Sequence, residues 1–187
     1  MELHETEIKD KYGKAYSMRS AQPDEVEELM EFVRQASEET LFFPWSPEGC
    51  PKLWENPEDY IRFFLASPRQ ALMVLYDGEK LVGLSELANL DDEKAHQHRF
   101  TLALAFLKSY FGRGLAESVH EVGEKLGLSL GYEQMEAGVD SRNERCKHTL
   151  EKIGFKLCGI KPRFHKFDDG TYRDSYFLVK QIKGDDI

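Results

Sequence analysis

Hydrophobic and polar residues follow strand-like and helix-like spacings along almost the whole chain. Short apolar or alternating runs predict strands at residues 15–19, 71–76, 80–87, 100–107, 133–139, 155–164 and 173–180. Apolar residues three or four positions apart predict three helices, which lie at 22–37, directly after Gly114, and at 143–153. One face of the helix after Gly114 carries Leu115, Val119, Val122 and Leu126. Strands and helices that are mixed in this way predict a mixed α/β fold.

Turn and capping residues divide these elements and set the domain limits. Asp77-Gly78 between two apolar runs is a strong hairpin signal, and Asn56-Pro57 is a typical helix start. Residues 1–14 are charged and lack periodicity, so we expect a loose N-terminal arm. Residues 15–187 contain no repeat or low-complexity linker, which predicts a single domain.

The segment 41–54 is aromatic and interrupted by proline. It contains Phe42, Phe43, Trp45 and Trp54, too many apolar side chains for a plain solvent loop. We expect it to pack over the sheet, where it either completes the core or lines a pocket. A homodimer contact through the same apolar residues is a further alternative.

Composition excludes several classes of function. The formal net charge of −9 argues against a dedicated nucleic-acid surface, and no apolar run is long enough to span a membrane. The acidic first residues do not resemble a signal peptide. The lack of a signal-peptide pattern and the small number of cysteines together favour a cytoplasmic location. No metal site is expected, because the cysteines lack ligand spacing and His96 and His98 lack a third ligand.

Residues 110–116 read Tyr-Phe-Gly-Arg-Gly-Leu-Ala and join a predicted strand to a predicted helix. Such a turn directs several backbone N–H groups and the positive end of the helix dipole toward one concavity the size of a phosphate. Glycine is required because a Cβ would block the turn and hold the phosphate away. Arg113 can add a charge-assisted contact. The turn therefore predicts an anion site.

Further motifs follow the turn in a fixed order. Asn143 is followed by Gly154-Phe155, and the chain ends in a hairpin with the sequence Asp-Gly-Thr-Tyr-Arg-Asp at 169–174. This order resembles the GNAT superfamily of N-acetyltransferases, most strongly over residues 98–180, while residues 77–83 resemble its central hairpin. Leu150-Glu151-Lys152 is similar to the branch that acetylates amino termini of ribosomal proteins.

The resemblance implies the GNAT fold, a mostly antiparallel twisted sheet of six or seven strands that is flanked by helices and splayed at the cofactor site. It also implies direct transfer of acetyl from acetyl-CoA to a primary amine. The residues that it assigns to acetyl-CoA are Leu104, Ala105, Phe106, Leu107, Phe111, Gly112, Arg113, Gly114, Leu115, Ala116 and Asn143.

These residues would hold different parts of the cofactor. The strand 104–107 would bind the pantetheine arm, the glycine turn would bind the pyrophosphate, and the N–H of Phe106 would stabilise the oxyanion. Phe111 departs from the family, which has Arg or Gln there. Asn143 would contact the pantetheine arm, although a helix cap alone also explains it.

The catalytic residues are less defined. Glu86, on the strand after the hairpin, is the first candidate for the base, and its alternative is a solvent-facing strand carboxylate. Leu150 occupies the position of a Tyr that in many members protonates the leaving thiolate. Tyr172 or Tyr176 could substitute, or both could simply pack in the hairpin. Cys146 is expected to be a buried packing residue rather than a nucleophile.

The acceptor also stays open. Residues 1–100 carry 11 Lys/Arg and 21 Asp/Glu, whereas residues 101–187 carry 14 and 13. The acidic first half fits a cationic amine, or it only keeps the protein soluble. The acceptor classes are a protein amino terminus and a small cationic amine, and another acyl group is not excluded. Phe111 and Leu150 also fit a catalytically impaired acyl-CoA-binding sensor or scaffold.

Overall fold

The computed structural model describes residues 2–47, 49–91, 93–167 and 170–184. The strands are β1 (Thr6–Lys9), β2 (Ala15–Ser20), β3 (Ala71–Asp77), β4 (Lys80–Asn89), β5 (Arg99–Phe106), β6 (Gln134–Asp140), β7 (Lys156–Lys166) and β8 (Tyr172–Gln181). The α-helices are α1 (Val26–Glu39), α2 (Pro51–Glu55), α3 (Pro57–Ala66), α4 (Leu115–Ser129) and α5 (Glu144–Lys152). Short 3-10 turns occupy Pro23–Glu25, Lys94–His96 and Lys108–Tyr110.

The strands form one sheet in the order β1-β2-β3-β4-β5-β6-β8-β7. Strands β1 to β4 pair antiparallel in sequence order, and β8 pairs antiparallel with both β6 and β7. The pairing of β5 with β6 is parallel and runs from Arg99↔Gln134 to Thr101↔Glu136. The predicted mixed α/β class and mostly antiparallel sheet are therefore confirmed, with eight strands in place of six or seven.

The predicted loose N-terminal arm is wrong, because it contains a strand. β1 pairs with β2 from Thr6↔Met18 to Lys9↔Ala15. The connecting turn is closed by the N–H of Asp10, which donates to the carbonyl of Lys14 at 3.0 Å. The strand is four residues long and buries one apolar side chain, Ile8, so the sequence offers no alternation to recognise.

The chain divides into two compact units. The first comprises Met1–Ala88 and Ala103–Val122, and the second comprises Asn89–Leu102 and Gly123–Ile187. The prediction of a single domain over 15–187 stays a prediction.

In the first unit, helices α1 and α3 bury apolar residues against β3 and β4. Members of this core are Leu29, Val33, Ile61, Phe64, Leu72, Val74 and Leu84.

The aromatic segment 41–54 belongs to the core of the first unit. Trp45 and Phe43 are buried, their rings are 5.7 Å apart, and Leu53 on α2 is buried with them. Core packing is therefore one role of this segment. Leu41, by contrast, is 78% exposed. Because these aromatic residues face inward, little apolar surface supports the predicted homodimer contact, which stays a prediction.

In the second unit, α4 packs closely on the first half of β5. An added Cβ at Gly127 would lie 2.5 Å from the ring of Phe100, and one at Gly123 would lie 2.5 Å from Leu102. The glycines thus allow an approach that alanine would prevent. Phe100 also packs on Tyr132, with ring centroids 4.8 Å apart.

None of the helices described is both long and apolar enough to cross a membrane.

Candidate active site

The predicted glycine turn joins β5 to α4 as expected. After β5 ends at Phe106, a 3-10 turn leads to Gly112 and Gly114, whose φ angles are +74° and +82°. Helix α4 begins at Leu115. Because the first N–H groups of a helix have no acceptor within the helix, they extend the donor set of the turn. The predicted strand–glycine–helix arrangement is therefore present.

The β1–β2 hairpin makes two hydrogen bonds to this turn and one to α4. The Nε of Arg113 donates to Oδ2 of Asp10 at 2.8 Å, and the N–H of Lys11 donates to the carbonyl of Arg113 at 2.8 Å. Ser118 on α4 donates its hydroxyl to the carbonyl of Lys9 at 2.7 Å. The guanidinium of Arg113, which the sequence predicts can contact the anion, is an ion-pair partner of Asp10.

Asp10 is a buried carboxylate with four donors. Its side chain is 0% exposed. Besides Arg113, the N–H groups of Tyr12 and Lys14 donate to Oδ1 at 2.9 and 3.0 Å, and the hydroxyl of Tyr16 donates to Oδ2 at 3.3 Å. Burial alone would raise the pKa of Asp10, but the backbone donors and Arg113 hold this pKa below its usual value. The charged form is therefore favoured.

Tyr110 ties the turn to the β3–β4 hairpin. Its hydroxyl donates to Oδ2 of Asp77 at 2.9 Å, and Nζ of Lys14 donates to the same oxygen at 2.5 Å. Burial and the charge of Asp77 raise the pKa of Tyr110 to about 12. The glycine turn is thus restrained by both hairpins of the first unit.

The end of β5 is hydrogen-bonded to β4 through the residue that follows the strand. The N–H of Leu107 donates to the carbonyl of Val82 on β4 at 3.0 Å. Since successive N–H groups of an extended chain point to opposite sides, the N–H of Phe106 points away from β4. The ring of Phe106 lies over Gly83, where an added Cβ would be 2.7 Å away. The side chain of Phe106 therefore packs closely on β4.

Glu86 is half-buried and accepts two side-chain hydrogen bonds, unlike a fully solvated strand carboxylate. The indole Nε1 of Trp45 donates to Oε2 of Glu86 at 3.0 Å, and the hydroxyl of Tyr60 donates to the same oxygen. Trp54 in turn donates its indole N–H to the carbonyl of Trp45 at 2.8 Å. Burial and the charge of Glu86 raise the pKa of Tyr60, so Tyr60 stays protonated as a donor.

The sequence did not identify the partners of these carboxylates. Trp45 lies in a segment for which the sequence predicts no regular element, and Tyr60 lies in the helix that Asn56 begins. A weak signal existed for Asp10, since Asp followed three residues later by Gly13 is typical of a turn. No comparable signal pairs Tyr60 with Glu86.

The remaining predicted site residues lie in the second unit. Asn143 caps α5, since its Oδ1 accepts from the N–H of Cys146 at 3.1 Å. Burial raises the pKa of the Cys146 thiol to about 11, which argues against a nucleophile. Tyr172 is 43% exposed under the guanidinium of Arg163, and Tyr176 donates to Glu144 at 2.6 Å.

Leu150, at the position of the absent Tyr, is buried. His96 pairs with Asp91 through Nδ1 at 2.8 Å, and Asp91 also accepts from Arg99. Within the described part of the chain, no three His, Cys, Asp or Glu side chains cluster in a way that could hold a metal ion.

The chain matches a known protein family. Residues 28–155, more than half of the chain, match the family model described as "Acetyltransferase (GNAT) family". No curated protein sequence is significantly similar to the chain.

Solved structures share the fold at low sequence identity. An acetyltransferase of the GNAT family from Streptococcus pneumoniae is 24% identical, with a TM-score of 0.78 over 89% of this chain and 99% of that one. A ribosomal-protein-alanine N-acetyltransferase from Brucella melitensis is 18% identical, with a TM-score of 0.75 over 88% and 98%. A phosphinothricin acetyltransferase from Sinorhizobium meliloti, in complex with acetyl-CoA, is 16% identical, with a TM-score of 0.74 over 89% and 88%.

Proposed function

The chain belongs to the GNAT acetyltransferase family, and from this premise we propose that it transfers an acetyl group from acetyl-CoA to a primary amine. The acceptor is a small cationic amine or a protein amino terminus. The observation that carries the proposal is the carboxylate of Glu86, which is held by Trp45 and Tyr60 among aromatic side chains. Membership of the family supports acetyl transfer, and the carboxylate supports an amine as the acceptor.

Acetyl-CoA binding is supported by the glycine turn. The pyrophosphate would accept hydrogen bonds from the backbone N–H groups between Gly112 and Ala116, at the positive end of the α4 dipole. The Sinorhizobium meliloti relative binds acetyl-CoA with the same fold. Phe111, in place of the family's Arg or Gln, removes one side-chain contact but no backbone donor.

The thioester would lie beside the second half of β5. There, the N–H of Phe106, which points away from β4, would donate to the oxyanion that forms when the amine attacks. One preorganised donor of this kind contributes about 3 kcal/mol to transition-state stabilisation. Because the amine attacks the thioester directly, the reaction needs no covalent enzyme intermediate, in agreement with the raised pKa of the half-buried Cys146.

Glu86 would bind the amine and accept its proton. A primary amine of lysine type has a pKa of about 10, so most of it arrives as the ammonium ion. Trp45 and Tyr60 both donate to Oε2, so Oε1 is the oxygen that would face the amine. Nearby aromatic rings also favour a cation. A thiol such as that of CoA has a pKa of about 8.5, so its thiolate can depart without a strong acid. This is consistent with Leu150 in the Tyr position.

Glu86→Gln tests this assignment. We expect kcat/KM to fall most near pH 7 and least at alkaline pH, where the amine is already deprotonated. The matched control is Glu28→Gln, because Glu28 also accepts from a Tyr hydroxyl, that of Tyr76 at 2.8 Å. An unchanged pH–rate profile in Glu86→Gln would remove Glu86 as the base.

The acceptor is identified by thiol release from acetyl-CoA with a panel of amines. The panel contains spermidine, lysine, aminoglycosides and short peptides with free amino termini, and calorimetry measures acetyl-CoA binding in parallel. Turnover with one class supports the proposal and names the acceptor. Binding without turnover across the panel would instead support the sensor or scaffold.

A further inference from the structure

The buried carboxylate of Asp10 has no part in the acyl-transfer chemistry, yet it contacts the glycine turn. We propose that Asp10 is a positioning residue for acetyl-CoA, which fixes the pyrophosphate-binding turn from the β1–β2 hairpin through Arg113. This inference rests on the proposed function, because it assumes that the turn binds the cofactor. It adds a determinant of affinity that lies 103 residues before Arg113 in the sequence.

The hairpin holds Arg113 at two points. The Nε of Arg113 donates to Oδ2 of Asp10, and the backbone carbonyl of Arg113 accepts from the N–H of Lys11. On either side of Arg113 stand Gly112 and Gly114, both in the left-handed region. Glycine gives these positions their conformation but also the greatest backbone freedom in the absence of other contacts. The hairpin therefore supplies the restraint that the turn sequence lacks.

The charges fit a positioning role and not a ligand contact. The Asp10 side chain is 0% exposed, so it cannot reach a phosphate, whereas Arg113 is 31% exposed. The pair uses Nε of the guanidinium, whose carbon lies 5.7 Å from the centre of the Tyr12 ring. A negative charge beside a phosphate site would repel the ligand unless it is neutralised, and the ion pair with Arg113 provides this neutralisation.

Asp10→Asn is the most informative variant because it preserves shape. The amide oxygen can still accept from the N–H groups of Tyr12 and Lys14, but the amide nitrogen cannot accept from Arg113. The matched control is Glu25→Gln. Glu25 is likewise a carboxylate that accepts from an arginine, Arg19, as well as from a backbone N–H and a Tyr hydroxyl.

The experiment compares two acyl donors in the wild type and both variants. Acetyl-CoA carries the phosphates, and S-acetylpantetheine lacks them. We expect Asp10→Asn to raise the calorimetric Kd and the KM for acetyl-CoA about 10- to 100-fold, the range for loss of a charge-assisted hydrogen bond. Its kcat/KM with S-acetylpantetheine should equal that of the wild type, and Glu25→Gln should leave the donor preference unchanged.

Three outcomes decide the matter. A selective loss with acetyl-CoA supports the inference, whereas an equal loss with both donors, or no loss, overturns it. If Asp10→Asn does not fold, Arg113→Lys replaces it: this variant keeps the positive charge, removes Nε–H and should show the same selective loss. Failure of the wild type to bind acetyl-CoA would overturn the proposed function itself, and the inference with it.

Discussion

Replacing Gly114 by alanine separates the backbone strain of the glycine turn from its role in binding. The φ angle of Gly114 is +82°, and an alanine there costs about 1–2 kcal/mol of the free energy of unfolding. Gly131, just beyond the other end of α4, has the same φ of +82° with no atom within 4 Å of an added Cβ. Gly131→Ala is therefore the control for strain alone.

The two sites differ in their surroundings. At Gly114 the new Cβ would lie 3.3 Å from Cβ of Lys11 and 3.5 Å from its backbone nitrogen. That nitrogen donates to Arg113, so relief of the contact moves the turn away from the hairpin by a few tenths of an ångström. Overpacking adds about 1 kcal/mol to the strain. Displaced phosphate donors should weaken acetyl-CoA binding about 10- to 100-fold.

The assay is thermal unfolding with and without acetyl-CoA, together with calorimetric Kd values. Both variants should melt lower, by about 2–4 °C for each kcal/mol lost. Only Gly114→Ala should lose affinity and the thermal shift that acetyl-CoA produces. Gly114→Ala with wild-type affinity would refute the assignment of the phosphates to this turn.

Two further predictions concern packing and thiol chemistry. Gly83→Ala should lower the free energy of unfolding by about 1–3 kcal/mol, because the new Cβ would meet the ring of Phe106 at 2.7 Å; in denaturant unfolding, Gly159→Ala, with nothing within 4 Å, should cost less. Since the pKa of Cys146 is raised to about 11, iodoacetamide at pH 8 should modify exposed Cys158 and leave Cys146 intact. A mass spectrum of the folded protein in which Cys146 is modified before Cys158 would contradict this prediction.

Local signals predicted most of the fold. The Asp77-Gly78 hairpin, the Asn56 cap and the strand–glycine–helix sequence around Gly114 each depend on a few adjacent residues, and all three are present. The missed strand β1 is too short to show a period, and its pairing with β2 is made by backbone groups that every sequence carries.

The site was less predictable because its contacts are long-range. Trp45 and Glu86 are 41 residues apart, and Asp10 and Arg113 are 103 apart. The sequence shows where a carboxylate stands and that it is charged, but not which groups donate hydrogen bonds to it in the folded protein. Glu86 was identified as a candidate, whereas the partners that distinguish it from a solvated strand carboxylate appear only once the chain is folded.

The contact between Asp10 and Arg113 also has a consequence for the order of folding. The β1–β2 hairpin is local and can form early, but its partner in the glycine turn is synthesised about a hundred residues later. Closing so long a loop is slow compared with forming a hairpin. The glycine turn is therefore expected to acquire its final geometry late, and acetyl-CoA affinity measured on a nascent chain would report the docking of the hairpin.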